Sequence, residues 1–265
     1  MYYRGGWFAG GIGLAFSNDG ISWKKHAGNP IFGLNGSNFS QGAMQPFVVA
    51  PTQADEQWRL YVSSSNGLAA ATSDDGIAWK VEPGTSLPMP PSKTVVGNRA
   101  AWQERDGSWF MFQEVGPAPW EIYLYKSNDG FNWKLENGGR PLDDLQRTPG
   151  GMYGGPSLAT INGVVRPQDD AGNYHLFYHA ASAAGDLPTN IYHASAASLT
   201  GPWAVNPAHT PLLTHRGNGT FEYDQVADPS AAVQGSSALL LYDGDNNQIG
   251  TAAIGAAVAK VNAVQ

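Results

Sequence analysis

Apolar and polar residues alternate in short bursts along this chain, and each burst ends at a turn. Trp58-Arg59-Leu60-Tyr61-Val62 alternates with the period of two expected of a half-buried strand. Before it, Gln45-Pro46-Phe47-Val48-Val49-Ala50 is an apolar run suited to a buried strand. After it, Gly67-Leu68-Ala69-Ala70-Ala71-Thr72 reads as a third strand and Ala78-Trp79-Lys80-Val81 as a fourth. Between these two, Asp74-Asp75-Gly76 predicts a tight turn, because Asp supports turn geometry and Gly tolerates positive φ.

The same four-strand pattern recurs. It is predicted at Ala100–Trp102, Trp109–Phe112, Ile122–Tyr125 and Asn132–Leu135. It is predicted again at Pro156–Ala159, Tyr174–Tyr178, Asn190–Ala194 and Trp203–Val205, with an insertion from Val164 to Asn173. A last set runs through Pro229–Val233, Ala238–Tyr242 and Ile249–Ile254. One phrase punctuates the repeats. Ser17-Asn18-Asp19-Gly20-Ile21-Ser22-Trp23 returns from Ser73 to Trp79 and from Ser127 to Trp133, at a spacing of about 55 residues. Ser198-Leu199-Thr200-Gly201-Pro202-Trp203 is a looser fourth copy.

A period of this length, built on strands and turns, predicts an all-β, five-bladed β-propeller of four-stranded antiparallel blades, with residues 1–265 as one domain. Counting back from Ser17 places the opening strand before Met1, so the first blade is entered at its second strand, Tyr2-Tyr3. The tail Ala257-Val258-Ala259-Lys260-Val261 is expected either as the fifth blade's outer strand or as the missing inner strand of the first. Asp19, Asp75 and Asp129 are expected to be turn formers, with each motif Trp packed between neighbouring blades.

Composition narrows the partners. The net charge is −7 with no basic run, which disfavours nucleic acid and anionic membrane. No apolar run approaches the ~20 residues of a membrane span. The N-terminal residues do not read as a signal peptide, cysteine is absent, and the compartment stays open. A small polar molecule or a neutral carbohydrate is the partner that fits.

The motifs also carry a family resemblance. Ser-x-Asp-Gly-x-x-Trp, Tyr2-Tyr3-Arg4-Gly5, Gly155-Pro156-Ser157, Asp228-Pro229-Ser230 and Leu241-Tyr242-Asp243-Gly244 resemble the five-bladed propeller glycosidases of glycoside hydrolase families 43 and 32 and their relatives. That resemblance implies a polar pocket and a pair of catalytic carboxyl groups. It implies an Asp on the first blade's opening strand, which counts to before Met1, another Asp at a middle blade, and a Glu-Gly-Pro where this chain has Gly154-Gly155-Pro156; the heads of the second and third blades carry Gln45-Pro46 and Gly97-Asn98-Arg99.

Strand alternation supplies other candidates. Second strands end at Arg4, Ser63, Glu114, His179 and Asp243, five equivalent positions. Glu114, Asp228 and Asp243 are the candidate catalytic carboxyls. Arg4, Gln45, Arg99, Trp120, Tyr153, His179 and Asp224 are the candidate substrate-binding residues. The bland reading of Asp228 is a strand-start turn, of Glu114 a solvated strand end, and of Asp243-Gly244-Asp245 a hairpin turn. Asp243, Asp245 and Asn246 resemble part of a calcium loop but lack its later Glu and its full spacing, so no cofactor is expected, with a structural calcium as the alternative. His175 and His179 would sit about 13 Å apart on one strand face, too far for one zinc.

Overall fold

The computed structural model describes residues 1–265 except 6–10, 34–43, 52–54, 65–66, 147–150, 159, 162–171, 183–184, 186, 206–209, 218, 235–236, 249 and 261–265. Most of the 164–173 insertion lies outside the described residues. The rest is all-β, with one short 3-10 turn at Asn137–Gly139. Among the described residues no helix is long and apolar enough to cross a membrane.

The strands fall into four sheets. The first has three: β1 (Tyr2–Arg4), β2 (Ile12–Phe16) and β3 (Lys24–Lys25). The second follows the predicted repeat closely, with β4 (Met44–Val49), β5 (Trp58–Ser64), β6 (Gly67–Ser73) and β7 (Lys80–Glu82). The third has β8 (Val95–Gln103), β9 (Trp109–Gly116), β10 (Glu121–Ser127) and β11 (Trp133–Leu135).

The fourth sheet has eight strands and holds the last two repeats. These are β12 (Tyr153–Leu158), β13 (Thr160–Ile161), β14 (Tyr174–Ala181), β15 (Thr189–Ala196), β16 (Ala204–Val205), β17 (Gln225–Gln234), β18 (Ser237–Asn246) and β19 (Thr251–Lys260). Two short parallel pairings, β13 with β17 and β15 with β17, join the repeats into one sheet.

The chain divides into two compact units. One comprises Met1–Phe112 and Tyr125–Glu136, the other Gln113–Leu124 and Asn137–Gln265. In the first, Ile12, Phe32, Leu60, Val62 and Ala71 form an apolar cluster. In the second, Ile191, Val226, Ala231, Leu240 and Tyr242 do so.

The repeated phrase is a turn with one fixed hydrogen-bond set. The Ser73 hydroxyl accepts from the N–H groups of Asp75 (3.3 Å) and Gly76 (2.9 Å), and donates to Asp75 Oδ1. Asp75 Oδ1 accepts from the N–H groups of Ile77 and Ala78, both at 2.8 Å. The turns at Ser17 and Ser127 repeat these bonds. Gly20, Gly76 and Gly130 close them at φ of 72°, 72° and 75°, where a side chain would be strained. Backbone N–H donation holds the Asp19 and Asp75 carboxyls below the usual range.

The phrase also joins successive sheets within the first unit. The Tyr2 hydroxyl donates to the Gly76 carbonyl (2.9 Å), and the Tyr61 hydroxyl to that of Gly130 (3.0 Å). Trp79 meets the Tyr2 ring edge-on, and Trp133 meets Tyr61 in the same way. Each such aromatic pair adds about 0.5–1.5 kcal/mol beyond burial. Ser127 is buried whereas Ser17 is half-buried, so water can replace only the latter's bonds. Ser127→Ala should therefore cost about 1–3 kcal/mol, and Ser17→Ala less than half of that. Urea midpoints check this; equal losses would contradict it.

The tail is a correction. Residues 257–260 are neither a fourth strand of the last repeat nor a strand of the first sheet. They continue β19, which pairs with β18 without a break from Asn246↔Thr251 to Ser237↔Lys260. No turn divides the tail from Ile254, because no Ser-x-Asp-Gly occurs there, and Gly255 sits beneath the ring of its partner Tyr242. Asp243-Gly244-Asp245 is likewise no hairpin turn. It lies within β18, paired with Ile254, Ala253 and Ala252. Successive side chains of a strand point to opposite faces, so Asp245 and Asn246 cannot act there as neighbouring ligands of a loop.

Candidate functional site

In the second unit, ends of β9, β12, β14, β17 and β18 bring together Glu114, Gly154, Gly155, His179, Asp228 and Asp243. Two β-bulges shape the place. The register on β17 skips from Ala227↔Asp243 to Ser230↔Leu241, so Asp228 and Pro229 stand against one residue, Tyr242. On β12 it skips from Gly154↔His179 to Ser157↔Phe177, leaving Gly155 and Pro156 against Tyr178. Proline suits a bulge because it has no N–H to leave unpaired. The residue before it takes positive φ: 50° at Asp228 and 57° at Gly155. In the first unit Gln45 does the same before Pro46, at 51°. A non-glycine residue held there costs about 1–3 kcal/mol, and a bulge re-aims the side chain it displaces.

The bulge on β17 points Asp228 at His179. The Asp228 N–H donates to His179 Nδ1 at 3.2 Å, and Asp228 Oδ1 lies 3.3 Å from the same nitrogen. On the opposite edge of the ring, Nε2 lies 3.8 Å from Glu114 Oε1. The side chains of His179 and Glu114 are 5% and 6% exposed, that of Asp228 37%. Asp228 is thus the member of the trio that reaches solvent.

The two glycines are tight against these groups. A Cβ on Gly154 would lie 2.1 Å from Glu114 Oε1 and 2.5 Å from its Cδ. A Cβ on Gly155 would lie 2.5 Å from His179 Nδ1 and 2.9 Å from Asp228 Oδ1. Glu114 therefore fills the space that a side chain at 154 would take.

Charge is unevenly shared. Burial, then the charges of Asp228 and Asp245, push the Asp243 carboxyl up to about 7, against the opposing pull of His179. For His179, burial works against protonation, but the Asp228 hydrogen bond and the charges of Asp228, Glu114 and Asp243 outweigh it and raise the imidazole above its ordinary value. A protonated carboxyl beside other carboxylates is the arrangement that separates an acid from a base.

The other predicted residues are placed as follows. Tyr153 is fully buried and its hydroxyl donates to the Leu142 carbonyl. Trp120 is half-buried, its ring against Gly116 and its carbonyl accepting from Tyr153 N–H. Asp224 accepts from Asn247 N–H (2.6 Å) and donates its own N–H to the Asp245 carbonyl, which ties the start of β17 to the end of β18. Asn246 donates to the Thr220 carbonyl. In the first unit, Arg4 is exposed. Arg99 is buried and donates to the carbonyls of Gln45 (2.6 Å), Tyr61 (3.3 Å) and Gly97 and to the Ser63 hydroxyl. Of the five strand ends that alternation picks out, Glu114, His179 and Asp243 lie together in the second unit, while Arg4 and Ser63 belong to the first. What alternation misses is the Gly154-Gly155 pair, whose visible signal is two adjacent glycines before a proline at a strand head.

No protein-family model and no curated protein matches the sequence. Solved structures do. A glycoside hydrolase matches with a TM-score of 0.70 at 14% identity, covering 99% of this chain and 87% of its own. The fold is one that solved glycoside hydrolases share. An endo-1,4-β-xylanase from Bacteroides thetaiotaomicron matches at 0.64 and 16% identity, over 98% of this chain and 91% of that one. An α-L-arabinofuranosidase from Podospora anserina, solved with cellotriose, matches at 0.63 and 14% identity, over 96% and 84%.

Proposed function

We propose that the protein is a carbohydrate-active enzyme that hydrolyses a glycosidic bond, on a five-bladed propeller whose last two blades share the eight-stranded sheet. Asp243 is the acid that protonates the leaving oxygen, and Asp228 is the partner carboxyl that acts as nucleophile or activates water. The observation that carries this reading is the bulge that turns the solvent-reaching Asp228 onto His179, in one cluster with Asp243, whose carboxyl is pushed up to about 7 by burial and neighbouring charge. Glu114 and His179 stand behind them, and Trp120 offers a half-buried ring for a sugar face. The likeness to glycoside hydrolases supports the substrate class.

The test is a panel of aryl glycosides covering arabinofuranosides, xylosides, galactosides and fructofuranosides. Asp243→Asn and Asp228→Asn should each lower kcat/KM by about 100-fold or more. The wild-type rate should fall as pH rises through about 7, because the acid loses its proton there. One observation favours a second reading, a propeller that binds a sugar without cleaving it. Gly154 stands where the resemblance implies Glu. No cleavage of any glycoside together with retained binding on a glycan array would select that reading.

A further inference from the structure

Glu114 is the most enclosed carboxylate of the cluster, and it faces the imidazole rather than the solvent-reaching carboxylate. His179 lies between the two, with Nε2 toward Glu114 (3.8 Å) and Nδ1 toward Asp228 (3.2 Å to the N–H, 3.3 Å to Oδ1). The neutral ring accepts from the Asp228 N–H at Nδ1, which places its proton on Nε2, toward Glu114. A second proton can enter only at Nδ1. There it displaces the amide bond and is shared with Asp228 Oδ1, 3.3 Å away.

We propose that Glu114, His179 and Asp228 form one proton relay, with Glu114 a positioning residue that acts through the imidazole on Asp228. The relay rests on the reading of Asp228 given above, and it departs from a direct catalytic role for Glu114. The proton balance is simple. Where the ring is neutral, a proton taken up at Asp228 Oδ1 passes to His179 Nδ1, and the resulting imidazolium is held by the Glu114 carboxylate at Nε2. No bond to substrate is made by His179 or Glu114. The charged or titratable groups that face the ring are Glu114 from β9, Asp228 from β17 and Asp243 from β18. From β12, Gly155 lies against the ring, and Gly154 on β12 and Ile191 on β15 are the strand partners of His179. The two glycines matter because any side chain there would enter the space of the relay atoms.

The experiment is a pH titration of the histidine ring nitrogens by long-range 15N–1H NMR on the full chain, with His179 assigned by its loss in His179→Gln. In the wild type at high pH the ring should be the Nε2–H tautomer, with Nδ1 an acceptor. In Glu114→Gln and in Asp228→Asn the proton affinity of His179 should fall about tenfold or more, as loss of one opposite charge at this range implies. A wild-type ring in the Nδ1–H tautomer overturns the relay without any variant having to fold. An unchanged His179 titration in folded Glu114→Gln also overturns it. None of these readouts requires hydrolysis. A silent glycoside panel with these shifts intact would remove the proposed activity and leave the relay standing, and the converse pattern would do the reverse.

Discussion

Asp243→Asn should make this protein more stable at pH 8 while removing the proposed acid. The Asp243 carboxyl is raised from 3.8 to about 7 in the folded chain. A carboxyl with a raised folded value keeps an extra proton in the folded state between those two limits. Stability therefore falls as pH rises through that window, and the penalty is complete above about 7. At about 1.36 kcal/mol per unit the full shift corresponds to about 4 kcal/mol. The group is partly exposed, and solvent screening lowers the expected gain of Asp243→Asn at pH 8 to about 2–3 kcal/mol. At pH 4 and below the folded wild type is already neutral at this position, and the gain should shrink toward zero. Urea midpoints of both proteins at pH 4 and pH 8 measure this. A variant destabilised equally at both pH values would mean that Asp243 is a stabilising carboxylate, and the acid assignment would go with it. Greater stability with lost activity is the pattern expected where a site holds a group against its own solvation.

Gly154→Ala should disrupt the cluster from the backbone side. Its Cβ would meet Glu114 at 2.1 Å (Oε1), 2.5 Å (Cδ) and 3.0 Å (Cγ). Three successive side-chain atoms are involved, so rotating the carboxylate alone does not clear the clash. Glu114 is 4% exposed. The side chain must leave its place against His179 or β12 must shift, and either breaks a buried charged contact. Overpacking and loss of that contact together should cost about 2–4 kcal/mol. Removing the obstructing side chain should recover part of the loss. The double variant Gly154→Ala with Glu114→Ala is expected to be more stable than the sum of the single effects by about 1–3 kcal/mol. Simple additivity in denaturant midpoints would show that residues 154 and 114 do not compete for one space.

Much of this was legible in the residues. The strands of the second and third repeats follow from period-two alternation between Gly-marked turns, because the interactions that fix them are local. The serine, aspartate and glycine of each phrase complete one turn within six residues, so the motif carries its own hydrogen bonds wherever it occurs. Its acidic side chains read as turn formers, and that is the work they do. Asking where each second strand ends picks out Glu114, His179 and Asp243 together with Arg4 and Ser63.

Other features depend on partners distant in sequence. The tail was misread because repeat counting assumes a turn at every period. Its run of small residues gives no local signal, and pairing with β18 decides its path. Asp243-Gly244-Asp245 has turn chemistry, yet ten consecutive ladder pairs hold it extended. The join of the last two repeats rests on short parallel pairings that leave no mark in composition.

By itself the sequence determined the all-β class, the repeat and the strand ends on which chemistry could stand, since periodicity and turn residues act over a few positions. Only the tertiary structure decided that Glu114 meets His179 from another strand, and that Gly154 and Gly155 leave room for both. It also decided that Asp243 is held near neutrality. Burial and the fields of Asp228 and Asp245 set that proton, and these exist only once β17 and β18 lie side by side.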